Sequence, residues 1–280
     1  MKESAETAGK RDDLLKIAVL VKQVPDMDTV KFDRGRGVVD RSSAGTEVNP
    51  FDLNALEAAV GMAETAGARV TAVSMGPPNA EKALRECMAR GAAEGVLVSD
   101  PKFGGSDTRA TSQILAAAIK KLGGFDLILG GEKTVDGDTG QVGPEVAGIL
   151  GVPYACFVSR IAGADETTLT VESEVWDGTY EKRLRLPALV TVTKDINQPR
   201  LPSFRNKMKA RKAEIVTLTF ADLTEFLGPD EIGLKGSPTK VKKIEVPPEA
   251  RREGVLYRED ALPQAVEDLA ARLRTMKIAG

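Results

Sequence analysis

Five apolar runs set the plan of this chain: LKIAVLVKQV, ARVTAVSMG, AEGVLVSD, FDLILGG and PALVTVT. Each is short, continuous and rich in β-branched residues, the pattern of a strand buried on both faces. Between them lie helical patterns, NPFDLNALEAAVGMAETAG, NAEKALRECMARGA, DTRATSQILAAAIKKLG and GQVGPEVAGILG. Strand alternating with helix predicts right-handed βαβ crossovers and an open, doubly wound, mostly parallel sheet in an α/β fold. From about residue 155 to 187 the texture changes, because SRIAGADETTLTVESEVWDGTYEKRLRL alternates polar and apolar with period two. Two or three antiparallel strands are predicted there as a small insertion, with Trp176, Tyr154 and Tyr180 expected to pack.

At 280 residues and 42 % hydrophobic, the chain can bury a full core. A formal net charge of -2 supplies no global basic field, which argues against nucleic acid as the main partner. The complete lack of histidine removes Ser-His-Asp and Cys-His nucleophilic sites and the commonest transition-metal ligand. Redox chemistry here would need an organic cofactor. Cys87 and Cys156 have no CxxC spacing and are expected to be buried, reduced thiols. MKESAETAGKRDD lacks the apolar core of a signal peptide, so residues 1–13 are expected to be a disordered extension of a cytoplasmic protein. Residues 14–215 are read as the α/β domain. Beyond it, residues 216–280 have only short apolar runs and are expected to lie as an arm along this domain or around another chain, ending in the amphipathic EDALPQAVEDLAARLRTMK.

Ligands of open α/β sheets sit beyond the carboxyl ends of the strands. KQVPD, MGPP, SDPKFGGSDT and GGEKTVDGDTGQVGPE, residues 130–145, all fall at such ends. In the last, Gly130 and Gly131 would let backbone approach a ligand, Gly137 and Gly140 would take positive φ, and Thr139 and Gln141 would donate near a helix start. That combination suits a phosphate. Asp136 and Asp138 are then expected to accept from ribose hydroxyls or backbone donors. A tight turn capping the following helix fits this loop equally well. NPFD reads equally as an N-cap with proline in the first turn, and FGGSDT taken singly reads as a helix cap.

Six ordered motifs, VLVKQVPD, EVNPFDLNALEAA, VTAVSMGPP, GGEKTVDGDTGQVGP, LRLPALVTVT and NQPRLPSFRNKMKARKAEI, resemble the beta subunit of electron transfer flavoproteins. The resemblance spans residues 15–280. It implies a Rossmann-like core, an adenine nucleotide on that core, and a heterodimer with an alpha subunit whose FAD transfers electrons. The arm at residues 216–280 would pack on that alpha subunit. The nucleotide site it implies comprises Leu20, Met75, and the NPFD residues Asn49, Pro50, Phe51 and Asp52. From the glycine-rich loop it adds Gly131, Glu132, Lys133, Thr134, Val135 and Asp136, followed by Gly137, Asp138, Thr139, Gly140, Gln141 and Val142.

Conventional members of this family carry AMP in beta, whereas electron-bifurcating members carry a second FAD. Both DGDTGQVGP and FGGSDT resemble the bifurcating type, which implies FAD here, with Phe103, Gly104, Ser106, Asp107 and Thr108 available to line the flavin. NADH is then the hydride donor, and the acceptors are ferredoxin or flavodoxin and, through alpha, an acyl-CoA dehydrogenase. No catalytic side chain and no metal are implied, since the flavin carries the chemistry. The family segment matching LPSFRNKMKARK docks on the dehydrogenase. This assigns Phe204 to a partner pocket and Arg205, Lys207, Lys209 and Arg211 to electrostatic steering, on a segment that its prolines are expected to keep extended. The other readings are a conventional carrier subunit with structural AMP and a free-standing nucleotide-binding regulator.

Overall fold

The computed structural model describes residues 15–26, 31–33, 38–40, 45–242 and 254–278. The extension expected at residues 1–13 lies outside them. The chain divides into two compact units, Met1–Lys243 and Ile244–Gly280.

The first unit opens with β1 (Lys16–Leu20), then β2 (Gln23–Pro25), β3 (Lys31–Asp33), β4 (Val38–Asp40) and β5 (Thr46–Val48). Of these, β2 pairs with β5 and β3 with β4, both antiparallel. The alternation follows: α1 (Pro50–Ala66), β6 (Arg69–Met75), α2 (Glu81–Arg90), β7 (Glu94–Val98), α3 (Thr108–Lys121), β8 (Leu127–Gly131) and α4 (Val142–Leu150). Three long strands, β9 (Tyr154–Ala164), β10 (Thr168–Val175) and β11 (Gly178–Arg185), precede β12 (Ala188–Val192), α5 (Phe204–Lys212), β13 (Val216–Leu218), α6 (Phe220–Leu223) and α7 (Gly233–Gly236). One nine-stranded sheet runs β11-β10-β9-β12-β8-β1-β6-β7-β13. From β9 to β13 every neighbouring pair is parallel, and β9-β10-β11 is the antiparallel insertion.

The unbroken apolar runs are explained by two cores. Ile17 and Val19 pack with Ala55 and Leu56 of α1 and Leu84 of α2, while Ala18 and Leu20 pack with Ile114 of α3, Val146 of α4 and Leu223 of α6. Both faces of the sheet are therefore covered, as a doubly wound fold requires. Residues 216–242 belong to this unit, because β13 pairs with β7 and Leu218, Leu223, Leu227 and Ile232 are buried. The arm expected from residue 216 thus begins inside a continuous body. The second unit contains the anticipated amphipathic helix, α8 (Leu262–Thr275), with Leu262, Val266 and Leu269 exposed.

Three expectations about side chains are corrected. Trp176 is 97 % exposed, and Tyr154 and Tyr180 are about half exposed. The core beneath the hairpin is filled by the aliphatic residues Leu169, Val171 and Leu184, and Trp176 sits beyond it in the turn joining β10 to β11. Cys87 is buried, but Cys156 is only partly so. The segment at Phe204 is helical: Ser203 caps α5 by accepting the Asn206 N–H at 3.2 Å, so the prolines end at the helix start instead of extending through it.

Candidate functional site

A cleft of about 370 Å³ opens at the carboxyl ends of β1, β8 and β12. Its apolar wall is made by Leu20, Met75, Val142 and Leu189, and its hydroxyls come from Ser106, Thr108, Thr111, Thr134, Thr139 and Thr191. Backbone from Gly130 to Thr134 forms one lip.

Two buried side chains at the start of α1 hold that lip in place. Asp52 accepts the Lys22 N–H at 2.8 Å and the Gly131 N–H at 3.0 Å, tying the ends of β1 and β8 together. Burial pushes its carboxyl up to about 7, against the opposing hydrogen bonds from Asn49, Lys22 and Gly131. Asn49 was expected to cap α1, yet it forms no side-chain cap bond. Its amide instead donates to the Lys133 carbonyl at 2.9 Å and accepts the Val135 N–H at 3.2 Å. Proline in the first turn is as expected, at Pro50.

The loop itself is laced by ion pairs. Lys22 reaches Asp136 at 2.8 Å and Lys133 reaches Asp138 at 2.9 Å. Burial opposes ionisation of Asp136, but the Lys22 ammonium and the Thr134 hydroxyl outweigh it and hold the carboxyl below its usual range. Both aspartates thus fix the loop's shape through lysines. Partial burial raises the carboxyl of Glu132 on the cleft side. Positive φ falls on Gly140 (62°) and Asp138 (52°), not on Gly137, which differs from expectation because an aspartate tolerates the left-handed region. Gly131 is small for a different reason than ligand approach. A Cβ there would lie 2.5 Å from Cβ of Phe51 and 2.6 Å from Oδ1 of Asp52.

Two helix starts meet at the cleft. The first turn of α3 is occupied by its own cap, Asp107, which accepts the Ala110 N–H at 3.1 Å and is bound in turn by Thr239. In contrast, Gln141 at the N-cap position of α4 makes no side-chain cap bond, and Gly143 lines the cleft. An uncapped helix start fits a phosphate group, while Gly143 itself answers to packing, since a Cβ there would clash with Cγ2 of Thr191. Ser112 and Thr108 donate to Glu145 at 2.8 and 3.3 Å, locking α3 to α4 beside it. The cleft continues past Asp107, Thr108, Thr139 and Gln141 into a wider groove of about 760 Å³ between these helices.

The structure gathers Leu20, Asp52, Met75, Ser106, Asp107, Thr108, Gly131, Glu132, Lys133 and Thr134 around the cleft, together with Gly137, Thr139, Gly140, Gln141 and Val142. Asn49, Pro50, Phe51, Val135, Asp136 and Asp138 do not line it; of these, Asn49, Asp136 and Asp138 hold the loop through the bonds described above. Phe103 is buried in the core and Gly104 is exposed away from the cleft, so the first half of FGGSDT does not line it. Val21, Lys22, Thr111, Gly143, Leu189 and Thr191 were missed. Thr191, a hydroxyl near the end of an apolar strand, was the readable signal among them.

Among the described residues no helix is long and apolar enough to cross a membrane, and no acidic, cysteine or histidine cluster could hold a metal. A doubly wound sheet with one cleft over its carboxyl edge defines the class of α/β proteins that bind ligands at a switch point. Comparison then gives the family. The electron transfer flavoprotein domain matches residues 36–223. A relative from Megasphaera elsdenii, named electron transfer flavoprotein subunit beta, is 43 % identical over 261 residues, covering 91 % of this chain and 96 % of that protein. The caffeyl-CoA reductase-Etf complex subunit CarD of Acetobacterium woodii is 38 % identical over 94 % of this chain and 100 % of its own length. The acryloyl-CoA reductase electron transfer subunit gamma of Anaerotignum propionicum is 38 % identical over 92 % and 98 %. The chain belongs to the electron transfer flavoprotein family.

Proposed function

We propose that this chain is the beta subunit of a heterodimeric, electron-bifurcating electron transfer flavoprotein of the cytoplasm. It holds FAD in the cleft, with NADH as hydride donor, ferredoxin or flavodoxin as low-potential acceptor, and an acyl-CoA dehydrogenase-type flavoenzyme reached through the FAD of alpha. The observation that favours FAD over AMP is that the cleft adjoins the groove of about 760 Å³ at Asp107, Thr108, Thr139 and Gln141, which would give a ligand larger than an adenosine nucleotide somewhere to extend. The names of the CarD and acryloyl-CoA reductase relatives favour an acceptor acting on CoA thioesters. The C-terminal unit, with its exposed Leu262, Val266 and Leu269, is the segment proposed to pack on alpha.

Within this reading each residue binds or positions. The start of α4 receives a phosphate, Leu20, Met75, Val142 and Leu189 pack against the apolar part of the ligand, and the threonine hydroxyls meet its ribose or ribityl groups. Asp52 has both oxygens engaged by backbone, so its role is to hold the lip. A bound flavin supplies hydride acceptance and one-electron transfer.

Acid extraction of the purified heterodimer followed by chromatography tests this. Two FAD per heterodimer are expected. One FAD with stoichiometric AMP would leave the conventional carrier, and a chain that purifies stably without alpha would favour the free-standing regulator.

A further inference from the structure

The helix that carries Phe204 has little core of its own. Only Ala210 of α5 is buried, while Phe204 is 81 % and Met208 38 % exposed. Apolar burial therefore does little to fix its direction. A guanidinium from the neighbouring helix does so instead. Nη1 of Arg85, on α2, shares its two N–H groups among the carbonyls of Ala210 at 2.6 Å, Arg211 at 3.0 Å and Ala213 at 3.1 Å. Its Nε donates to Glu81 at 2.7 Å, one turn earlier on α2, which holds the fork in place. The last carbonyls of a helix carry partial negative charge and are short of internal partners; that of Ala210 also accepts the Ala213 N–H at 3.3 Å, and Arg85 adds a positive donor to this end. On the other flank, Nη1 of Arg90 donates to the Arg200 carbonyl at 2.5 Å, and the Arg200 side chain pairs with Glu57 and Glu64 of α1. Thus α2 grips the chain on both sides of α5.

We infer that Arg85 is a positioning residue for the acceptor protein: by holding the last turn of α5 it sets the angle at which Phe204 and the basic side chains meet the partner. This rests on the docking role that the family resemblance implies for Phe204. The helix spans about 12 Å from Phe204 to Lys212, so freedom at its gripped end is carried to the contacting end. The partner surface that fits is an apolar pocket with an acidic rim. Arg85 does not line the cleft, so variants there are expected to leave cofactor content and reduction by NADH unchanged.

The test uses the intact heterodimer with Arg85→Met, Arg85→Lys or Phe204→Ala, and a purified acyl-CoA dehydrogenase as acceptor. Flavin content, NADH-driven flavin reduction, melting temperature, and KM and kcat for the acceptor are measured. Arg85→Met is expected to raise the acceptor KM about tenfold, on the scale of one lost charge-assisted contact, with kcat and flavin reduction unchanged. Arg85→Lys should fall between, because an ammonium does not reproduce the fork. If Phe204→Ala raises KM and Arg85→Met does not, docking stands and the inference is overturned. If neither moves KM, the docking reading fails and takes the inference with it. Equal loss of reduction and delivery in Arg85→Met, tracking a lowered melting temperature, would reduce Arg85 to a fold-stabilising residue and also overturn it.

Discussion

Asn54 and Asn197 exchange hydrogen bonds across 143 residues of sequence: the Asn54 amide donates to the Asn197 carbonyl at 2.8 Å, and the Asn197 amide returns one to the Asn54 carbonyl at 2.9 Å. The Asn54 amide also reaches the Lys194 carbonyl at 3.2 Å. This pair fastens the segment between β12 and α5 to the flank of α1. Asn54→Ala leaves carbonyls unpaired and should destabilise by roughly 1–3 kcal/mol in a denaturant titration. Asn197→Ala should do likewise, and the double variant should cost somewhat less than the two together, because both remove the one bond between the two side chains, from the Asn54 amide to Asn197 Oδ1 at 3.2 Å. Strict additivity would mean the exchange carries no coupling.

Asp52 gives a pH dependence whose direction follows from its raised carboxyl. The folded chain holds this proton up to about pH 7, whereas the unfolded chain releases it near 3.8. Its contribution to stability is therefore fully present below about pH 4 and is lost as pH rises toward 7, by up to roughly 4 kcal/mol. Melting temperatures measured between pH 4 and 8 should show this fall, and Asp52→Asn should flatten it. An unchanged slope in the variant would assign the dependence to other groups.

At Gly140, φ is 62° and a Cβ would stand 3.2 Å from the Glu132 carbonyl oxygen. Gly140→Ala should lower stability by about 1 kcal/mol, and Gly140→Asn less, because asparagine tolerates this backbone region better. Thermal melts rank the variants. Loss of flavin with no change in melting would instead mark close approach of a ligand.

The basic residues of α5, including Arg205, Lys207, Lys209 and Arg211, are exposed. Steering by them predicts that the acceptor KM rises with ionic strength, and that Lys207→Glu raises it at low salt while flattening the salt response. Stopped-flow association rates at two salt concentrations separate this from a change in kcat.

The parallel strands could be read from sequence because burial on two faces leaves an unbroken β-branched run, as in Ile17 to Leu20. The cleft was legible in outline, since its loops all follow such runs. What escaped was the identity of the supports. Asn49 looks like a helix cap because its true partners, Lys133 and Val135, are more than 80 residues away in sequence. Gly131 looks like a place for ligand because nothing local shows that Phe51 and Asp52 fill the space beside it. The helix at Phe204 was hidden by the neighbouring prolines, although Ser203 is an ordinary start signal.

The nine-stranded sheet is open at both ends, and the ends differ. One is β13, only three residues long, too short to recruit another strand securely. The other, β11, has eight residues, and its last five are Glu181, Lys182, Arg183, Leu184 and Arg185. A second molecule adding to that edge would have to desolvate a dense row of charges, several of the same sign. The insertion that lengthens the sheet thus also carries a charged selvage that disfavours the joining of separate copies edge to edge.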